Sequence, residues 1–207
     1  MPAVAILTLP GFNELDSFLA LHLLNRADGV TAFLAGPSPQ AVSLNGVATG
    51  ISGTLADAAR ADAVLVGSGR QTREFAADPA FLGSLTLDPM RQLVASQCSG
   101  ALILAKLGIL TGLPVCTDNK TRPWIEALEL KVVQETLLVT GNVATAGGCL
   151  SAQYLATWLM LRLVGEAETR RALDYVVPVG EAAEYTETLI SRARAADPAS
   201  LGVTAAA

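Results

Sequence analysis

The 207 residues are 51% hydrophobic and only 16% charged, with 14 Lys and Arg against 19 Asp and Glu for a formal net charge of −5. A chain of this length forms one domain with a large core, and the acidic balance without a basic stripe argues against nucleic acid as a partner. Three cysteines, an odd number behind an N-terminus with no leader pattern, suit reduced thiols in a cytoplasmic protein. No apolar run is long enough to span a membrane.

Val4 to Leu9 is a near-continuous apolar run that reads as a strand buried on both faces, and Pro10-Gly11 breaks it. A helix follows from about Leu15 to Arg26 with Asp16 in its first turn, then a strand over Thr31 to Ala35. Val42 to Thr49 holds Asn45-Gly46 between β-prone runs, a hairpin signal at a sheet edge. Ala63 to Val66 is another apolar strand, closed by Gly67-Ser68-Gly69. A helical stretch runs from Gln71 to Ala77, and Asp78-Pro79 opens another.

Leu93 to Ser96 reads as a strand, and from Gly100 the apolar residues Ala101, Leu102, Leu104, Ala105 and Leu107 recur at helical spacing. Cys98 falls on the switch between the two. A residue there sits on a sharp turn, with the following N–H groups and a helix N-terminus beside it, conditions that lower a thiol's pKa. The alternative is a buried cysteine packing as a small hydrophobe.

Farther on, Pro114 to Thr117 reads as a short strand, Thr121 to Leu128 as a helix, and Lys131 to Gln134 as β-prone. Leu137 to Thr140 and Val143 to Ala146 flank Gly141-Asn142, a second hairpin signal. Gly147-Gly148 leads into a buried helix over 150–164, with a further helix over 166–173. The remainder is Pro- and Gly-punctuated, then helical and polar, with a flexible tail from about 195 to 207. Strands alternating with helices predict an α/β fold, a three-layer sandwich around a mainly parallel sheet, in one domain over 1–207.

Ligands of such sheets lie beyond the carboxyl ends of the strands. Asp16, the loop Gly67-Ser68-Gly69 and Cys98 all follow such ends, so a carboxylate, a set of backbone donors for developing negative charge and a thiol share one crevice. Taken alone the glycine loop matches no phosphate-binding fingerprint and is simply a turn. His22, the one histidine, lies roughly 9 Å farther along the first helix than Asp16, which leaves a cysteine of the protease kind without its base. Cys98, Cys116 and Cys149 lack paired metal-ligand spacing, so no metal is expected; Cys116 and Cys149 read as structural.

The segments LTLPGFNELD (7–16), AVLVGSG (63–69), SQCSGALILAKLGILTG (96–112) and GNVATAGGCLSAQYLA (141–156) resemble the ThiJ/PfpI superfamily in order and spacing, and most nearly its isonitrile (isocyanide) hydratase branch. That resemblance implies a flavodoxin-like, class I glutamine amidotransferase-like fold and a homodimer, with the first helix and the hairpins as candidate contacts. Asp16 after Leu15 and the elbow Cys98-Ser99-Gly100 match the branch pattern, with Ser99 where that branch carries Thr. The chain departs at Gly67-Ser68-Gly69, where Pro-Gly-Gly is usual, and at Cys116-Thr117-Asp118-Asn119, where relatives often read Thr-Thr-His-Trp.

A thiol and a carboxylate that share one proton suit addition to a small electrophile, with protonated Asp16 donating to sulfur. The expected activity is hydration of an isocyanide to an N-formamide through a cysteine thioimidate. Cys98 is its nucleophile, Asp16 its acid and base, and Ser99 orients water or nitrogen; Gly67, Ser68, Gly69 and Ser99 are the backbone donors. No cofactor is required. Two alternatives keep the same cysteine: a redox-responsive or ligand-binding protein without turnover, and an enzyme acting on other small electrophiles such as reactive carbonyls.

Overall fold

The computed structural model of the chain describes residues 1–197. Its apolar runs become the strands of one six-stranded sheet: β1 (Ala3–Leu7), β2 (Thr31–Ala35), β5 (Ala63–Val66), β6 (Leu93–Gln97), β7 (Leu138–Thr140) and β8 (Val143–Ala146), in the order β2-β1-β5-β6-β8-β7. All neighbours are parallel except β7, an antiparallel edge strand formed by the expected Gly141-Asn142 hairpin. The Asn45-Gly46 hairpin forms a separate two-stranded piece, β3 (Gln40–Val42) and β4 (Ala48–Gly50).

Alternation along each strand divides the core between the two faces. Val4, Ile6, Ala63, Leu65, Leu93 and Ala95 pack with α1 (Ala20–Leu24), α7 (Ala152–Asp174) and α8 (Ala182–Ala196). Ala5, Leu7, Val64, Val66 and Val94 pack with α2 (Leu55–Arg60), α3 (Thr72–Phe75), α4 (Pro79–Ser84), α5 (Gly100–Lys106) and α6 (Arg122–Glu126). The expected α/β three-layer sandwich is therefore the fold.

Four details differ from the sequence reading. Helix α2 was not foreseen, although its Thr54 and Asp57 form a capping box. The strands expected over 114–117 and 131–134 shrink to a single bridge between Val115 and Val132. Residues Leu15–Leu19 form one π-turn ahead of α1, which places the side chains of Asp16 and Ser17 inside the protein. Helix α8 continues to Ala196, and Asp197 is buried, accepting hydrogen bonds from Trp158 Nε1 at 2.7 Å and Arg162 at 2.9 Å. Residues 195–197 are thus held against α7; the rest of the expected tail lies outside the described residues. Within α7 the backbone breaks at Gly165 (φ 79°, ψ 177°), the boundary expected between the helices over 150–164 and 166–173.

Candidate active site

Sheet register assembles the site. Val66 pairs with Ser96 and Gln97 with Ala146, so the segments leaving β5, β6 and β8 emerge side by side with Cys98 in the middle. Cys98 has φ 47°, a left-handed conformation that costs a non-glycine residue energy and marks a tight elbow. Its N–H donates to Ala146 O at 2.8 Å, and its carbonyl accepts from Thr117 Oγ1 at 2.8 Å. Gly100 lets α5 press on β5: a Cβ there would sit 2.3 Å from Val66 O. The sulfur faces a cavity of about 330 Å3 whose wall includes Asn13, Ser68, Gly69, Ser99, Asp118, Trp124, Gly148 and Cys149.

Asp16 lies behind this wall, with no exposed surface. Its Oδ2 accepts from Ser68 Oγ at 2.5 Å. Oδ1 makes no well-formed hydrogen bond among the described residues, although the Cys149 thiol faces the carboxylate closely enough to donate to it weakly. Burial dominates and raises the Asp16 pKa from 3.8 to about 6, with the Asp118 charge adding to it and the Ser68 and Cys149 hydrogen bonds holding it down. The carboxylate oxygen of Asp16 and the sulfurs of Cys98 and Cys149 all lie within 4.8 Å of one another.

The Cys98 thiol departs from the sequence reading. Burial first, then the charges of Asp16, Asp118 and Cys149, push its pKa far up; the Gly148 N–H works the other way, and Gln97 Nε2 also donates to the sulfur at 3.8 Å. Helix α5 begins two residues on and does not outweigh a sulfur that is 5% exposed beside a carboxylate. At neutral pH the shared proton therefore rests on sulfur, with Asp16 as the carboxylate, the reverse of the expected arrangement.

Three of the four expected backbone donors, Gly67, Ser68 and Gly69, are engaged within the protein. The Gly67 N–H donates to Leu7 O at 3.1 Å, continuing the sheet ladder. The Ser68 N–H serves Asp16, and the Gly69 N–H donates to Ser99 Oγ at 3.4 Å. This loop instead contributes the Ser68 hydroxyl, and Ser99 contributes the acceptor that holds Gly69 in place. Gly148 (φ 88°) supplies the N–H that faces the sulfur, and Gln97 Nε2 fixes its carbonyl at 2.5 Å. The Gly147-Gly148 pair was the available sequence signal.

Cys149, expected from the sequence to be structural, instead lines the cavity, with its sulfur accepting from Asn13 Nδ2 at 3.0 Å. Cys116 is a packing cysteine whose thiol donates to Glu135 O at 2.8 Å. Asp16, Cys98 and Cys149 lie close enough together to be candidate ligands of a metal ion, a grouping invisible in their sequence spacing. His22 is exposed on α1, away from the cavity wall. Asp118 accepts from the N–H groups of Lys120 and Thr121 and from Thr121 Oγ1 at 2.6 Å, so it caps the turn before α6 while lending its charge to the cavity.

The DJ-1/PfpI family model matches residues 2–161. A cysteine-to-alanine mutant of a DJ-1 superfamily protein from Salmonella typhimurium is 25% identical, with a TM-score of 0.72 over 85% of this chain and 98% of that one. Drosophila melanogaster DJ-1beta is 21% identical, with a TM-score of 0.74 over 84% of this chain and 97% of that one. Schizosaccharomyces pombe DJ-1 is 13% identical, with a TM-score of 0.73 over 85% of this chain and all of that one. No curated protein matches the chain. Among the described residues no helix is long and apolar enough to cross a membrane.

Proposed function

The chain belongs to the DJ-1/PfpI family, and on that premise we propose that it is a cysteine-dependent hydro-lyase that adds water to an isocyanide to give an N-formamide. The observation that carries this reading is the buried Asp16 carboxylate, poised at about 6, beside a protonated Cys98 sulfur on the wall of a small cavity. A carboxylate of that basicity both takes and returns a proton near neutral pH.

The steps follow from the positions of the groups. The Cys98 sulfur attacks the terminal carbon of R–NC as its proton passes to Asp16, and Asp16 returns that proton to the same carbon. The product is the thioimidate R–N=CH–S–Cys98. Asp16, ionised again, draws a proton from water as the water oxygen adds to the carbon, and that proton reaches nitrogen. The C–S bond then breaks with the hydroxyl proton returning to sulfur, which releases R–NH–CHO and the free thiol. Because Asp16 does not itself line the cavity, the hydroxyl of Ser68, a residue of the cavity wall bonded to Asp16, relays protons. The Gly148 N–H stabilises negative charge on sulfur during attack and departure.

The functional unit in this proposal is a homodimer in the cytoplasm. Exposed Leu15, Val42 and Val47 support such a pairing; they lie on neighbouring elements that Glu14 ties together through Ser43 and Asn45. Incubation with cyclohexyl isocyanide tests the activity. The isonitrile infrared band should disappear as N-cyclohexylformamide forms, and Cys98→Ala should abolish this. A band that persists with folded, reduced wild-type protein at neutral pH for both an alkyl and an aryl isocyanide removes the reading.

A further inference from the structure

We propose that Cys98 and Cys149 are a peroxide-reactive pair in which a hydroperoxide oxidises Cys98 and Cys149 then closes a disulfide with it. The proposal rests on Cys98 being the reactive thiol, as in the isocyanide reading, and adds a role for Cys149 that hydration does not need. Both thiols are free and lie within 4.8 Å of each other. Both line the one cavity of about 330 Å3, so a small hydroperoxide that reaches Cys98 leaves its product in view of Cys149.

The surroundings of Cys149 suit a resolving thiol. Burial and the Asp16 charge raise the Cys149 pKa and the Asn13 bond at 3.0 Å works against them, so Cys149 attacks as a thiol whose proton passes to the buried Asp16 carboxylate facing the same sulfur. Cys149 opens a single turn of helix (Cys149–Ser151) after Gly148 at φ 88°, and it is less buried than Cys98. A disulfide needs the sulfurs about 2 Å apart. The sulfurs, within 4.8 Å of each other, must approach by less than about 3 Å, a displacement on the scale of one χ1 rotamer change at Cys149. Cys116 is excluded because its thiol is engaged with Glu135 O and lies outside the cluster.

The chemistry balances with the hydroperoxide as the named oxidant. In the first step Cys98–SH and ROOH give Cys98–SOH and ROH; the O–O bond breaks and sulfur loses two electrons. In the second, Cys149–SH displaces the hydroxyl of Cys98–SOH; the S–S bond forms, the S–O bond breaks, and water leaves carrying the Cys149 proton by way of Asp16.

The test treats the reduced, chelator-washed full chain with equimolar cumene hydroperoxide and measures intact mass, free thiols and disulfide-linked peptides. The proposal expects a loss of two hydrogens per chain, a fall from three free thiols to one, and a Cys98–Cys149 linked peptide; Cys116→Ser should form the same link and fall from two free thiols to none. In Cys149→Ser, Cys98 should instead bind a sulfenic-acid trap and accumulate sulfinic acid on the order of 10-fold faster than in the wild type. Wild-type protein that gains oxygen at Cys98 without a disulfide, keeps all three thiols, or links through Cys116 overturns it. Failure of isocyanide hydration in reduced protein leaves this readout untouched, so the two proposals fail separately.

Discussion

The Asp16 carboxylate and the Ser68 hydroxyl meet at 2.5 Å inside the protein, with Asp16 wholly buried and Ser68 forming part of the cavity wall. A buried acid and a surface of the cavity are thereby joined by one hydrogen bond. Asp16 is costly to keep there as a charge, because burial outweighs the bonds that hold its pKa down.

That cost is measurable in stability. The folded-state pKa of about 6 lies above the ordinary 3.8, so the folded chain holds a proton that the unfolded chain has lost between those values. The contribution of protonated Asp16 is fully present below pH 3.8 and is lost as pH rises through about 6. Asp16→Asn, neutral throughout, should gain on wild type across that window and level off about 2–3 kcal/mol more stable at pH 7. Urea unfolding of both proteins at pH 4, 5, 6 and 7 checks this; a stability difference that does not change with pH contradicts the burial of a charge at Asp16.

Ser68→Ala removes a bond that holds the Asp16 pKa down and removes the proton relay to the cavity. Hydration should fall on the order of 10-fold at neutral pH. The acid limb of the pH profile, expected near pH 6 in the wild type from the Asp16 pKa, should move upward in the variant. An unshifted limb would show that the hydroxyl does not tune the acid.

Gly100→Ala should damage the fold and not merely the chemistry. Its Cβ would lie 2.3 Å from Val66 O and 2.9 Å from Gly67 O, both backbone atoms of the adjoining strand end, which cannot move aside singly. Thermal or urea unfolding should show a loss of about 2–4 kcal/mol.

Much of this was legible in the sequence because it is local. Apolar runs marked β1 and β5, short β-prone stretches marked β2 and β6, and the strand-to-helix switch marked Cys98. The remainder depends on register. Gly148 and Cys149 reach the thiol only because β8 lies beside β6 with Ala146 opposite Gln97, a pairing between segments some fifty residues apart. The loop after β5 looked like a row of free donors, yet two of its N–H groups finish the ladder and the acid's hydrogen bonds. The acidity of the thiol has a related cause: burial and a neighbouring carboxylate depend on what packs around an elbow, not on the elbow itself.

Assembly is open to direct measurement. The exposed apolar residues Leu15, Val42 and Val47 should be covered by a second copy, giving a dimer mass in sedimentation at micromolar concentration. Val42→Lys together with Val47→Lys should shift the mass toward the monomer. A wild-type monomer at that concentration contradicts the proposed pairing.

The central claim is that Cys98 adds to the substrate while Asp16 moves its protons, and Asp16→Asn tests it most directly. Asn keeps the side-chain volume and a hydrogen-bond acceptor for Ser68, but it transfers no proton. Turnover of cyclohexyl isocyanide, followed by its infrared band, should drop by on the order of 10²-fold or more, while iodoacetamide still alkylates Cys98 in the folded variant. A folded Asp16→Asn protein that labels at Cys98 and hydrates the isocyanide at the wild-type rate would contradict the mechanism and leave Asp16 a buried structural residue.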